Sequence, residues 1–462
     1  MARPYTQRHN AGLSSHSGQE LRGVPDDAAK WILIFVVVSF PLSEIIRVSI
    51  PGQPIVITAL PLLCFTYVWV IHLRTAVPTC LMWSFIPLLI MCLIGIQGAI
   101  VHAIPARSVL IAMVAELGWC IPACVAYYCG KSSSLRFSVA FAASVVVTIA
   151  LCLSAYHLCT GEELWSIPTI AGAGHERPYG NKAVAYCYGV FRSAPTYAAY
   201  LVFMGVQILV TWFSPGREGW TRTSRAVILT ATISIAPQLM MAARRSQFAM
   251  FGLVLCGVFA AAPRRRRGLA AVIICCVFIL GIITFGSALR ENTRIQHVTS
   301  FLWKDWTKRN AVNAPNTRLY GLITMCGHGM GSTGYAALMG STEHWQARTL
   351  DVMAVHPAMH YGWLQTIYAY GCVGLVLRSI CFANLIFLLW PRTTSASRAK
   401  AIGCACCIAC TYVYFFIQTS FLESITGGPL FGMAIGLSIA NGASDWVPEE
   451  RAFNGGGCSH LV

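Results

Sequence analysis

Residues 77–102 read VPTCLMWSFIPLLIMCLIGIQGAIVH and contain no Asp, Glu, Lys or Arg. A helix needs roughly 20 mostly apolar residues to cross the hydrocarbon core of a bilayer. This stretch is long enough and apolar enough, so it predicts a membrane-spanning helix and places the whole chain in the membrane class.

Comparable apolar runs recur along the chain and predict an all-α, polytopic integral membrane protein with about twelve transmembrane helices. The other candidate spans are 31–48, 54–73, 107–129, 136–158, 191–213, 225–243, 246–262, 268–287, 361–390, 401–422 and 426–441. Runs 225–243 and 246–262 are also compatible with one broken hairpin. Run 361–390 is long enough for a tilted helix that begins at the membrane interface.

The composition excludes several other classes of protein. Hydrophobic residues make up 56% of the 462 residues and charged residues 11%, which is incompatible with an ordinary soluble domain. The net charge of +16 is spread over short breaks between apolar runs, without the interleaved aromatic residues of a nucleic-acid groove. Most of the 20 cysteines lie inside apolar runs, so they are interpreted as packing residues. The same applies to the cluster formed by Cys404, Cys406, Cys407 and Cys410.

Lys and Arg in the short loops predict the orientation, because cytoplasmic loops retain positive charge. Residues 1–30 form a cytoplasmic segment, 31–441 a single transmembrane domain and 442–462 a cytoplasmic tail. External loops are predicted at about 159–190 and 288–360, the longer one between the ninth and tenth candidate helices. The expected location is the inner (cytoplasmic) membrane of a bacterium, with both termini cytoplasmic.

Arg244 and Arg245 occupy the predicted external junction between two apolar runs. Guanidinium groups bind phosphate through a planar, two-pronged set of donors, so a diphosphate is a natural partner. The alternative is that these side chains reach the membrane interface or pair with a carboxylate such as Glu116 or Glu423. Arg192, at the mouth of the run 191–213, is a secondary candidate for a phosphate or sugar contact, or an interfacial anchor.

Three stretches, taken in order, resemble the O-antigen ligase and polysaccharide polymerase family. The first is ARRSQFA (243–249), similar to the family's Ser-Arg step at the head of a helix. The second joins NTRLY (316–320) to GHGMGSTGY (327–335), similar to its arginine and downstream Gly-x-Gly element. The third is HYGWLQ (360–365) with Gly371 and Gly374, similar to its His-Asn-x-x-Leu segment and following Gly-x-x-Gly helix. Arg244 replaces a small hydroxyl residue, and Tyr361 replaces Asn. The resemblance covers about residues 190–380.

The resemblance implies glycosyl transfer at the external face of the membrane. A hydroxyl of an acceptor glycan attacks the anomeric carbon of a sugar chain carried on undecaprenyl diphosphate, and the lipid diphosphate leaves. Arg245 and Arg318 would stabilise the departing diphosphate, with Arg192 and Arg244 as secondary contacts. His360 would accept the proton, because a histidine of ordinary pKa is largely neutral near neutral pH. His356, four residues earlier, is the alternative base.

The implied partners are the lipid-linked glycan donor, the bilayer, and a glycan or lipid A-core acceptor. Other polysaccharide-assembly proteins are conceivable partners, and nucleic acid is not. No cofactor is expected. No metal is expected either, because His297, His328 and His344 lack the close ligand spacing of zinc motifs.

Two other functions are compatible with the helix count. A secondary transporter often has twelve helices, but such proteins usually show comparable halves and a mid-membrane site with broken helices. A non-catalytic subunit of a polysaccharide export system would require neither the external arginines nor the spacing after His360. Within the transferase interpretation, the residues do not distinguish a ligase from a polymerase, nor do they identify the sugars.

Overall fold

The computed structural model describes residues 27–49, 54–160, 176–179, 182–185, 191, 194–213, 220–242, 245–261, 327–332, 362–390, 398–416 and 427–443. Most of them lie in twelve α-helices. These helices are α1 (Asp27–Ser49), α2 (Pro54–Tyr67), α3 (Thr79–Val101), α4 (Ala106–Leu117), α5 (Cys120–Cys129), α6 (Ser133–Thr160), α7 (Ala194–Phe213), α8 (Arg222–Met241), α9 (Arg245–Ala261), α10 (Gly362–Leu389), α11 (Arg398–Phe416) and α12 (Gly427–Ala443). A π-helical turn, Val68–His72, continues α2.

Within these ranges, five helical stretches are long and apolar enough to cross a membrane, as expected for a helical membrane protein. They are Thr79–Val101, Ala106–Cys129, Ser133–Tyr156, Arg222–Met241 and Gly362–Leu389. Helices are found in eleven of the predicted runs, and the run 268–287 lies outside the described residues. Several of the helices are shorter, so the count of about twelve spans stays a prediction.

The predicted run 107–129 contains two helices, α4 and α5, which are separated at Gly118 and Trp119. Close packing of α12 against α5 accompanies this break. A Cβ on Gly432 would overlap the Trp119 carbonyl, and one on Gly436 would overlap that of Ala123. Small residues permit such close approach between membrane helices.

A short β-hairpin accompanies the helices in the described part of the chain, and the class stays all-α. Strands β1 (Glu176–Tyr179) and β2 (Lys182–Ala185) form an antiparallel hairpin inside the predicted external loop 159–190. Tyr179 is paired with Lys182, so only Gly180 and Asn181 connect the strands. Gly-Asn is one of the dipeptides that favour a tight hairpin turn.

Helix α10 is not a continuous helix. Gly371 has φ 70° and ψ −174°, which interrupts the helical path between residues 362–370 and 372–389. Residues without a Cβ adopt a positive φ readily, so glycine suits this break. The predicted run 361–390 is therefore two helical halves joined by a kink, rather than one tilted helix.

Helix contacts show which helix ends lie together. Gly257, near the end of α9, packs against Ala401 and Ala405, near the start of α11, so these two helices are antiparallel. Gly362, at the start of α10, packs against Tyr414, near the end of α11. The starts of α9 and α10 are therefore at the same end of the bundle.

The cysteine cluster of α11 belongs to the core. Cys404, Cys406, Cys407 and Cys410 are buried and free of disulfides. The sulfur atoms of Cys406 and Cys410 are 4.0 Å apart, one helical turn along the same face. These residues fill space between packed helices, as the sequence predicts.

Candidate functional site

Most of the side chains predicted to form the site lie outside the described residues. This applies to Arg192, Arg244, Arg318, His356 and His360. Arg245 is the first residue of α9, which agrees with its predicted position at the head of a helix, although its side chain is not among those described. His360 precedes the start of α10 by two residues.

A buried polar network lies near the end of the bundle where Arg245 starts α9. The hydroxyls of Ser154 in α6 and Tyr197 in α7 are 3.2 Å apart, and the Tyr197 hydroxyl donates to Gln238 Oε1 in α8. The Gln238 Nε2 donates to Ser234 Oγ at 2.9 Å. Satisfied networks of this kind rigidify a core. The network fixes the end of α8, seven residues before Arg245, against the start of α7.

A glycine-rich segment, Gly327–Ser332, is inserted between α3 and the break in α10. We call residues 327–332 the glycine segment. The His328 amide donates to the Tyr368 carbonyl at 2.8 Å, and the Gly329 amide donates to the Ala369 carbonyl at 2.9 Å. The Met330 amide donates to the Gly95 carbonyl of α3 at 2.8 Å. The second and third stretches of the family resemblance are thus joined by backbone hydrogen bonds.

Close backbone approach explains the glycines of this segment. Gly329 has φ +104°, and a Cβ there would overlap the backbone of Ala99 in α3. Gly327 has φ +69° and packs against the backbone of Ala369 and Gly371. A residue with a Cβ would be strained at these angles as well as too large. The segment is buried except for His328, which is half-buried. Non-helical backbone within a membrane bundle is tolerated where its polar groups are satisfied by protein.

His328, within the glycine segment, contacts two other rings. Its imidazole is parallel to the Tyr368 ring, with centroids 4.3 Å apart and planes at 8°. The His328 ring also contacts the ring of His102, the residue that follows the end of α3, with ring centroids 5.2 Å apart. In the sequence, His328 belongs to the second stretch of the resemblance and to a group of three histidines weighed as a metal site, and in the structure it packs between α3 and α10.

A buried ion pair joins α4 to α10, and only one of its two partners, Glu116, is predicted from the sequence as a partner for arginine. The Arg378 guanidinium of α10 forms an ion pair with the Glu116 carboxylate of α4, and the two side chains are 3% and 11% exposed. The Tyr370 hydroxyl donates to Glu116 Oε1 at 3.0 Å. The sequence offers Glu116 as an alternative partner for Arg244 or Arg245, whereas in the structure Arg378 pairs with it.

Arg378 has further buried partners. Its Nη1 donates to Thr366 Oγ1 at 2.9 Å and also to the Tyr414 hydroxyl of α11. The guanidinium lies over the Tyr414 ring, 5.0 Å from its centroid. A lone Arg inside a long apolar run is costly unless paired, and this was the signal in the sequence that could have identified Arg378.

Among the side chains that the structure describes, no three His, Cys, Asp or Glu residues are grouped so as to hold a metal ion. His297 and His344 lie outside that part of the chain. The expected absence of a metal therefore stays a prediction.

Comparison of the chain with models of known protein families and with curated protein sequences found no match.

Proposed function

We propose that this protein is a membrane glycosyltransferase of the O-antigen ligase or polysaccharide polymerase type. It moves a glycan from undecaprenyl diphosphate to a sugar hydroxyl at the external face of a bacterial inner membrane, in lipopolysaccharide or exopolysaccharide synthesis. The charge pattern of the short loops supports this orientation. The proposed donor contacts are Arg245 and Arg318, and the proposed base is His360.

One observation carries the proposal. The glycine segment and the first half of α10 belong to separate stretches of the resemblance, and backbone hydrogen bonds from His328 and Gly329 to Tyr368 and Ala369 hold them together. A site built from distant parts of a chain requires such a junction, because catalytic groups must be held within a narrow range of positions. The junction lies in the same half of α10 that follows His360.

The chemistry of the proposed residues is consistent with the reaction. Departure of a lipid diphosphate leaves negative charge, which guanidinium groups stabilise through paired hydrogen bonds. The attacking hydroxyl must lose a proton, and histidine is the common general base near neutral pH. Arg245 begins α9, and Gly362, two positions after His360 in the sequence, begins α10 at the same end of the bundle.

A deletion strain tests the function and separates its two forms. If the protein is a ligase, cells without it accumulate complete polymer still attached to the lipid carrier. If it is a polymerase, they accumulate a single lipid-linked repeat. Normal surface polysaccharide with no lipid-linked intermediate would contradict the proposal.

A secondary transporter is a second candidate, and one observation favours it. Transporters often use a broken helix and buried charges near the middle of the membrane. Helix α10 is broken at Gly371, and its Arg378 forms a buried ion pair with Glu116 of α4. Reconstituted vesicles distinguish the two functions. A transporter moves its substrate across the membrane unchanged, whereas a transferase forms a new glycosidic bond.

A further inference from the structure

A buried polar cluster bridges the break in α10. We call Glu116, Arg378, Thr366, Tyr370 and Tyr414 the charge clamp. Thr366 and Arg378 are twelve residues apart, which in an ideal helix separates them by about 18 Å along the axis. Their side chains are nevertheless joined by a hydrogen bond of 2.9 Å. This contact requires the helix to be bent at Gly371, so Arg378 ties together the two halves of α10.

The clamp also joins α10 to two other helices. Glu116 comes from α4, and Tyr414 comes from α11. A charged side chain in the interior of a membrane protein is costly unless it is paired and hydrogen-bonded. Arg378 therefore favours the one arrangement in which Glu116, Thr366 and Tyr414 all surround it.

The clamp and the glycine segment share the same short part of α10. Tyr370 donates its hydroxyl to Glu116, and the two preceding residues, Tyr368 and Ala369, receive the amides of the glycine segment through their carbonyls. The Tyr370 ring also packs against Gly95 of α3, in the space that a Cβ would occupy. The carbonyl of Gly95 accepts the hydrogen bond from the Met330 amide. Movement of residues 368–370 would therefore disturb the docking of the segment directly.

We propose that Glu116 and Arg378 are positioning residues that keep α10 broken at Gly371 and thereby hold the glycine segment against α3. Their influence on glycosyl transfer rests on the proposed function. Their influence on docking does not, because it follows from contacts within the chain alone.

Cross-linking between α3 and the glycine segment tests this proposal. His102 and His328 are in ring contact, so cysteines at both positions, in a full-length protein depleted of its other cysteines, are within reach of a short bifunctional thiol reagent. We expect efficient cross-linking with Glu116 and Arg378 intact. Glu116→Gln and Arg378→Gln should each lose most of the cross-link, and the exchange Glu116→Arg with Arg378→Glu should restore it.

Arg136 supplies the matched control. It is also a buried arginine, 4% exposed, and it donates to the Gly130 carbonyl away from the clamp. Arg136→Gln should leave the cross-link unchanged. Wild-type yield of the cross-link in folded Glu116→Gln and Arg378→Gln proteins would overturn the proposal. The proposal would also fail if Arg136→Gln lost as much of the cross-link as the two clamp variants do.

Two milder variants test the charge clamp if the Glu116→Gln and Arg378→Gln proteins fail to insert into the membrane. Thr366→Val and Tyr414→Phe each remove one acceptor of Arg378 and keep the charges. Weaker cross-linking in both supports the clamp, and wild-type cross-linking in both refutes it. Glycosyl transfer should also be measured on the same variants. Its rate should fall in the variants that lose the cross-link, and it should recover in the double variant with Glu116→Arg and Arg378→Glu. If the wild-type protein shows no transfer, the proposed function fails. The cross-linking result would still show whether Glu116 and Arg378 hold the glycine segment against α3.

Discussion

At the residue scale, the chain places arginine in two different settings. Arg378 is enclosed, and its charge is balanced by Glu116 and shared with Thr366 and Tyr414. Arg245 begins a helix at the end of the bundle where the start of α10 also lies. The first setting favours a structural role for the charge, and the second is the setting that we propose for a contact with the donor.

The donor-site prediction concerns Arg245 and Arg318. Lys keeps the positive charge but loses the two-pronged geometry that binds phosphate oxygens. We expect Arg245→Lys and Arg318→Lys each to lose most transfer activity while the protein still inserts normally. Transfer from a lipid-linked donor by purified variants is the measurement. Full activity in either variant would remove that residue from the site.

The catalytic prediction concerns His360. A positioned general base contributes roughly 10²- to 10⁴-fold to a rate, so His360→Ala should reduce transfer by that order while the donor still binds. His356→Ala should have a milder effect. A wild-type rate in His360→Ala with collapse in His356→Ala would assign the role to His356. Near-normal turnover in the double variant would exclude histidine base catalysis at this site.

Single residues were predictable from the sequence where a local pattern was sufficient. The head of α9 at Arg245 followed from the apolar runs on either side. The partner of Glu116 did not, because Arg378 is 262 residues away and no local pattern joins them. The one indication in the sequence is that an arginine inside an apolar run is costly unless it is paired, which predicts a buried partner for Arg378.

At the element scale, glycines decide where helices bend and where backbones meet. Gly371 interrupts α10, and Gly329 lets the glycine segment reach the backbone of α3. A run of apolar residues predicts a helix but does not show whether a glycine inside it is helical or has a positive φ. This is why run 361–390 is predicted as one helix. The break between α4 and α5 has a different origin, because Gly118 keeps helical angles (φ −61°, ψ −15°).

A matched pair of glycine variants tests the docking of the glycine segment. Gly329→Ala should destabilise the protein and lower transfer, because Gly329 has φ +104° and its new Cβ would overlap Ala99. Gly252 in α9 has open space around the position of a Cβ. Gly252→Ala should therefore be neutral or stabilise the helix by about 0.5–1 kcal/mol. Thermal unfolding in detergent measures both, and equal melting temperatures with equal transfer would contradict the docking described for Gly329.

At the scale of the whole molecule, the charge pattern predicts which surface carries the site. Loops 159–190 and 288–360 should be external, and the run Arg264 to Arg267 should be cytoplasmic. Thiol labelling of single cysteines in a cysteine-depleted protein measures this in intact cells. Position 308 should react from the outside. Reaction of that position only from the cytoplasmic side would contradict both the orientation and the proposed function.

Reconstituted transfer tests the central proposal most directly. The purified protein is placed in liposomes with a lipid-linked glycan donor and an acceptor glycan, and the release of undecaprenyl diphosphate and the glycan joined to the acceptor are both measured. We expect the wild-type protein to produce the two products in equal amounts, and Arg318→Lys to produce little of either. Folded wild-type protein that releases no lipid diphosphate, or that moves glycan across the membrane without forming a glycosidic bond, would contradict the account.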